Sequence, residues 1–280
     1  MCEGRYYGVD SGGQALQRAT VPHHLEFGDS PSRAPRVDSG SLSPRPVNAL
    51  KSQHLARLPD LPCWVETRAL LADAASVLVP NADGTGFVVW NARDRLGAVV
   101  GVPAAAGLGR AAMTCTEILA FADNVRDVAD LLPEFGVEEA TILRAPAAMP
   151  SSPLHRCDSL DLAALESMVH VPEDVRHELA EVVYEGGVVL AAFEGALPVA
   201  FAYVASETES WWDLSIETLA SHRRRGFATA VVVALMRRMQ LHGKSGVWGA
   251  LVSNTASLAL AHHLGFTEAG SLWVLTRRDG

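Results

Sequence analysis

The segment "WWDLSIETLASHRRRGFATAVVVALM" (211–236) gathers the groups of this chain best suited to chemistry. Asp213, Ser215 and Glu217 recur at every second position. In a strand that spacing puts them on one face, with Trp212, Leu214, Ile216 and Thr218 on the other. Carboxylates so arranged mark this face as a candidate active-site wall. An interior strand would need a wet cavity or partners to offset the burial of these groups, whereas an edge strand would simply solvate them. Glu217 could equally be a structural acid paired with an arginine.

Arg223, Arg224, Arg225 and Gly226 follow, directly before an almost unbroken apolar run. The first turn of a helix leaves N–H groups unpaired at the positive end of the dipole, which suits an anion such as a pyrophosphate. Gly226 lets a ligand approach the main chain closely, and arginine adds charge-assisted hydrogen bonds. A solvated basic turn is the plainer alternative. The string lacks the G-x-x-x-x-G-K of nucleotide-hydrolysing phosphate loops.

The elements that position these groups can be read from periodicity. A helix is expected from about Phe227 to Leu241, apolar nearly all round until Arg237 and Arg238. The run "GVWGALV" reads as a strand, and "NTASLALAHHLGF" as a helix for which Asn254 suits the N-cap. Upstream, helices are expected at 161–168 and 172–184, then two strands joined by the turn at Glu194, Gly195 and Ala196. Residues 150–280 form the domain that holds the site. Residues 59–149 read as a smaller α/β unit with strands at "SVLVP", "GFVVWN", "LGAVVGV" and "EEATILRA", and a helical pattern over "TEILAFADNVRDVADLLPEF". The Pro- and Ala-rich "APAAMPSSP" divides the two. Residues 1–58, rich in Gly, Ser, Pro and Arg, read as a mostly disordered tail, in which His23 and His24 do not amount to a metal site.

Totals narrow the class. A chain of 280 residues with 49% hydrophobic and 20% charged residues is globular for most of its length, and its net charge of −9 argues against a nucleic-acid binder. A helix-turn-helix built on the arginines is disfavoured for the same reason and by the apolar helix behind them. Cys2, Cys63, Cys115 and Cys157 lie too far apart for a C-x-x-C pair or a secreted disulfide framework, so reduced thiols are expected. The N-terminus lacks the layout of a signal peptide, and no apolar run is long enough to span a bilayer; a cytoplasmic protein without membrane or metal partners is the expectation.

The order strand, R-x-x-G-x-A (Arg223, Gly226, Ala228), buried helix, strand, then Asn254, Ser257, Leu260, Ala261, Leu264, Gly265 and Phe266 resembles the GNAT superfamily of acyl-CoA-dependent N-acyltransferases. The resemblance runs from about Leu154 to Arg278, and its details are similar to a branch that includes the zwittermicin-resistance acetyltransferases. It implies an α/β (α+β) fold: a mixed, splayed β-sheet flanked by helices, beside a partial GNAT-like N-terminal half. It also implies a site. Backbone groups near Ile216 and Thr218 would bind the pantetheine arm of acetyl-CoA, the co-substrate, as an added strand binds. Amides from Arg224 through Gly226, Phe227, Ala228 and Thr229 would cradle the pyrophosphate. Arg223 takes the family's Arg or Gln position, with Arg224 and Arg225 beside it, and Asn254 and Ser257 lie near the cofactor.

The implied reaction moves acetyl to a primary amine, on a small molecule or a peptide, by direct attack in a ternary complex, with Glu217 as the first candidate for the base, working through a water, and Asp213 as the second. A homodimer is compatible with it. Two positions depart from the family: Ala261 stands where many members carry a tyrosine acid, and Gly249 where some carry a carboxylate. His262 and His263 adjoin the first. A CoA-binding sensor or scaffold without chemistry is therefore the alternative.

Overall fold

The computed structural model describes residues 49–151 and 155–278. Two helices, α1 (Ala49–Arg57) and α2 (Val65–Ala72), precede β-branched runs broken by Gly, Asn and Asp. These runs form the antiparallel meander β1 (Val77–Pro80), β2 (Phe87–Asn91) and β3 (Leu96–Val100). Helix α3 (Ala105–Thr114) crosses to β4 (Glu117–Ala120), which pairs parallel with β3, and α4 (Val125–Leu131) leads to β5 (Phe135–Arg144).

The second half follows the same plan after a preface of β6 (Arg156–Leu160), α5 (Leu162–Ser167) and α6 (Glu173–Tyr184). A meander of β7 (Val189–Glu194), β8 (Leu197–Glu207) and β9 (Trp211–Thr218) is followed by α7 (Phe227–Gln240) and by β10 (Ser245–Leu251), parallel to β9. Helix α8 (Thr255–His263) and β11 (Thr267–Arg277) close it.

The eleven strands of the described residues form one mixed sheet in the order β1-β2-β3-β4-β11-β5-β10-β9-β8-β7-β6. The last strands of the halves are exchanged: β11 lies against β4, and β5 lies against β10. The α7 face of the second half packs Trp212 and Leu214 against Phe227, Val231 and Leu235. On the opposite face Phe201 and Tyr203 meet Leu165 and Leu179 from α5 and α6. Val231, Val232 and Val233 are poor helix formers, costing up to roughly 0.7 kcal/mol each, but all three are fully buried, which contributes about 1.5–3 kcal/mol apiece. Burial wins.

Two expectations are corrected. Residues 117–120, inside the segment expected to be helical, form β4. All four are buried, and β4 lies between β3 and β11, so their apolar spacing reflects a strand covered on both faces. The expected tail ends earlier than residue 58, because Ala49–Arg57 are helical. Lys51 and His54 are buried there, and Lys51 Nζ donates to the Asp73 carbonyl at 2.6 Å. Averaging composition over 58 residues hid this short element. Cys2, His23, His24 and Pro153 lie outside the described residues.

Candidate active site

Strand β9 is interior, between β8 and β10. Its parallel ladder with β10 is short, holding Trp211↔Ser245, Trp212↔Gly246 and Asp213↔Val247 and then stopping. From Leu214 to Thr218 only β8 continues beside it. The direction of the freed main-chain groups follows from the alternation of an antiparallel ladder. Leu219 N–H donates to the Val199 carbonyl at 3.0 Å, so residues 219, 217 and 215 turn their N–H and C=O toward β8. Ile216 and Thr218 turn theirs the other way, into the gap that opens where β9 and β10 part.

The polar face of β9 is as expected from its alternation, with Asp213 7% and Ser215 4% exposed. Asp213 lines a narrow internal space at the apex of the gap with Val247 and Gly249 of β10, Ile142 of β5, and Cys63 and Glu66 from the first half of the chain. Burial pushes the Cys63 thiol up, so it is protonated at neutral pH. Glu217 is half-buried nearer the open end. Its Oε1 accepts from the Thr218 N–H at 2.9 Å and lies 3.6 Å from Arg223 Nη2, while Arg223 Nε donates to the Thr218 carbonyl at 3.1 Å. The carboxylate and its arginine thus occupy the gap-facing groups of Thr218.

The loop beyond β9 turns sharply into α7 through two left-handed residues, Arg224 (φ 61°) and Gly226 (φ 86°). Arg224 bears the cost of that conformation, about 1–2 kcal/mol for a non-glycine residue. Ala230 N–H reaches back to the Gly226 carbonyl at 3.0 Å, so the amides of Phe227, Ala228 and Thr229 are first-turn donors. Ala228 and Thr229 are half-buried, and Phe227 is buried.

The three arginines divide. Arg223 is held on Thr218 and Glu217. Arg225 pairs with Glu194, which also lies 3.0 Å from His222 Nε2. That hydrogen bond from Arg225 holds the Glu194 carboxyl below its ordinary value. Among the described residues, Arg224 alone of the three has no carboxylate within ion-pair distance. His155 braces the corner from β6's side: its Nε2 sits 3.0 Å from the Arg225 carbonyl, and its ring lies 4.1 Å from that of Phe227.

Across the gap, Asn254 caps α8, its Oδ1 accepting from Ser257 N–H at 3.1 Å. Ser257 Oγ accepts from Trp248 Nε1 at 2.9 Å, tying α8 to β10. Because β9 and β10 are parallel, the N-termini of α7 and α8 both stand at the carboxyl ends of these strands, where open α/β sheets bind ligands. Ala261 is fully buried with Leu264 and Phe266, and His262 and His263 are exposed. Trp212 is core at 1% exposure, whereas Trp211 Nε1 donates to the Asp60 carbonyl at 3.1 Å.

Glu194, His155, Cys63 and Glu66 had no motif to mark them, since each reaches the site only through the tertiary fold. Among the described residues, no group of three or more His, Cys, Asp or Glu could hold a metal ion. No described helix is long and apolar enough to cross a membrane.

No curated protein sequence matches this chain. Among solved structures, a GCN5-related N-acetyltransferase-like protein from Streptococcus suis aligns with 82% of this chain and 99% of its own at a TM-score of 0.61 and 16% identity. A GCN5-related N-acetyltransferase from Kribbella flavida aligns with 78% of this chain and 95% of its own at a TM-score of 0.53 and 13% identity. At such identities the likeness is one of fold. Residues 185–274, which run from the end of α6 through the diverging strands and the arginine corner to β11, match the model of the GNAT acetyltransferase family, and the fold of the whole is that of the GCN5-related N-acetyltransferase-like structures.

Proposed function

We propose that this protein is an N-acetyltransferase that moves acetyl from acetyl-CoA to a primary amine by direct attack in a ternary complex. The observation that carries the reading is the end of the β9–β10 ladder at Asp213↔Val247, with the main-chain groups of Ile216 and Thr218 facing the gap beside the first turn of α7. An extended pantetheine arm fits such an edge, since it needs only main-chain partners. The amides of 224–229 with Arg224 fit a diphosphate at the mouth. Gly226 fits that role too, since a Cβ there would meet only the His155 ring, at 3.4 Å.

The chain's own carboxylates would manage the proton. Glu217, at the open end, takes it from the amine through a water, with Asp213 at the apex as the second candidate. For Glu217 to do so, its hold on the Thr218 N–H must loosen, freeing that same N–H for the pantetheine arm. A thiol-release assay with acetyl-CoA across a panel of primary amines tests the reading. Turnover on at least one amine is expected, lost in Glu217→Gln with CoA affinity kept. The non-catalytic CoA-binding sensor is favoured by one observation, the full burial of Ala261 in the core, which leaves no acid at that position. Saturable CoA binding with no turnover on any amine would select it.

A further inference from the structure

A second cleft lies at the other end of α7, about 21 Å along the helix from the arginine corner for its 14 residues. Its volume is about 490 Å³, within the range of small-molecule sites. Three kinds of group meet in it. Arg238, His242 and Lys244 give it a basic rim, on a chain whose net charge is −9. Glu207 pairs with Lys244 at 3.1 Å, and no described carboxylate is within ion-pair distance of Arg238 or His242. Val188, Val204, Leu235 and Met239 make an apolar floor.

The third feature is a strand edge. β8 runs past the end of β7, whose ladder with it stops at Leu190↔Ala202. By the same alternation that fixes β9, residues 199, 201 and 203 turn their main chain toward β9, so Val204 turns its N–H and C=O toward the β7 side, where the ladder has ended. The turn at Gly186 and Gly187, closed by Gly187 N–H on the Val182 carbonyl at 2.8 Å, keeps the chain from covering that edge.

We propose that this cleft is a binding site for an N-acylated amino acid with an apolar side chain, separate from the gap between β9 and β10. The carboxylate would meet Arg238, which no described carboxylate holds, the acylamide would pair with the Val204 main chain as a short added strand, and the side chain would lie on Leu235 and Met239. A free amine has no acyl carbonyl to accept from the Val204 N–H, so the site selects acylated over unacylated amino acids. The inference does not depend on the proposed acetyl transfer.

N-acetyl-L-leucine is the probe, titrated calorimetrically into the full-length protein without CoA. Saturable binding is expected, weakened at least tenfold for N-acetyl-L-leucinamide, which lacks the carboxylate, and at least as much for L-leucine. Arg238 is exposed, so Arg238→Glu should keep the circular dichroism of the parent and lose at least tenfold in affinity. Hydrogen exchange should slow in peptides covering 186–188 and 235–244. Equal affinity for acid and carboxamide, unchanged affinity in Arg238→Glu, absence of saturable binding, or protection confined to 216–229 would each overturn the proposal.

Discussion

Arg223, Arg224 and Arg225 are consecutive, yet among the described residues two are held by different carboxylates and one by none, and the differences predict different phenotypes. Arg224, exposed and without a carboxylate, has charge to spare for an incoming diphosphate. Arg224→Ala should weaken CoA binding by about tenfold, the effect of losing a charge-assisted hydrogen bond of roughly 1.5 kcal/mol, with the melting temperature unchanged. Calorimetry with CoA measures it. Arg225 acts on the corner through Glu194. Because the folded Glu194 carboxyl titrates below its ordinary value near pH 4.3, the pairing is intact above that pH and is lost as pH falls through the lower folded value. CoA affinity should therefore hold between pH 5 and 7 in this respect and decline only as pH falls below that ordinary value. Glu194→Gln should remove that acid limb and weaken binding at pH 7 by a few fold, as an exposed pair does. A titration series from pH 3.5 to 7 on both proteins would decide it. Residue types and alternation made Asp213, Ser215 and Glu217 visible in the sequence. Which arginine faces which acid was not visible, because Glu194 comes from a hairpin about thirty residues away and only the packing of β7 beside β8 brings it near.

At the scale of elements, the decisive feature is a ladder that stops. Main-chain pairing leaves little mark on side chains, so the parting of β9 and β10 could be expected only from the resemblance, whereas β9, α7, β10 and α8 themselves were legible from period and caps. β4 was misread because a four-residue strand buried on both faces, with only Ile118, Leu119 and Ala120 apolar, carries neither period clearly. The corner between β9 and α7 depends on Gly226 at φ 86°, a conformation that costs a β-branched residue about 1–2 kcal/mol or more. Gly226→Val should lower stability by that amount, and a Cβ 3.4 Å from His155 should also push the corner open and weaken CoA binding. Chemical denaturation and CoA titration on the same variant separate the two effects; full affinity in a destabilised variant would show that the loop's shape is not needed. Asn254, by contrast, caps α8 from the far wall, and Asn254→Ala should cost about 1 kcal/mol whatever it does to the ligand.

The whole molecule consists of two halves of one plan, meander, helix, parallel strand, helix, strand, and the first half shows what happens when the gap is not kept. β3 and β4 also pair in parallel over only three positions, from Leu96↔Glu117 to Ala98↔Leu119. There the following groups are bridged: Asn124, before α4 as Asn254 is before α8, donates from Nδ2 to the carbonyls of Val99 and Gly101, at 3.0 Å each. The corner differs as well. Where the second half turns into α7 through Arg223-Arg224-Arg225-Gly226, the first turns into α3 through Gly101-Val102-Pro103-Ala104, without charge, and a Cβ on Gly107 in the first turn of α3 would come within 2.9 Å of Val79, so α3 is packed directly onto β1. A closed edge and an uncharged corner leave no grip for a diphosphate in the first half. CoA should therefore bind with a stoichiometry of one per chain, and Gly226→Val should abolish or weaken the single event without exposing a second. Two equivalent sites by calorimetry would contradict this account of Asn124. The first half is nonetheless indispensable, because β5 lies between β10 and β11 and pairs with both. Residues 150–280 expressed alone would leave the inner edges of β10 and β11 unpaired and the apolar side of Val247 and Leu272 uncovered, and they should be insoluble or lack a cooperative melting transition. Restoring residues 49–149 in the same chain should recover both solubility and CoA binding, since the strand that separates β10 from β11 is the one the sequence supplies before the apparent boundary.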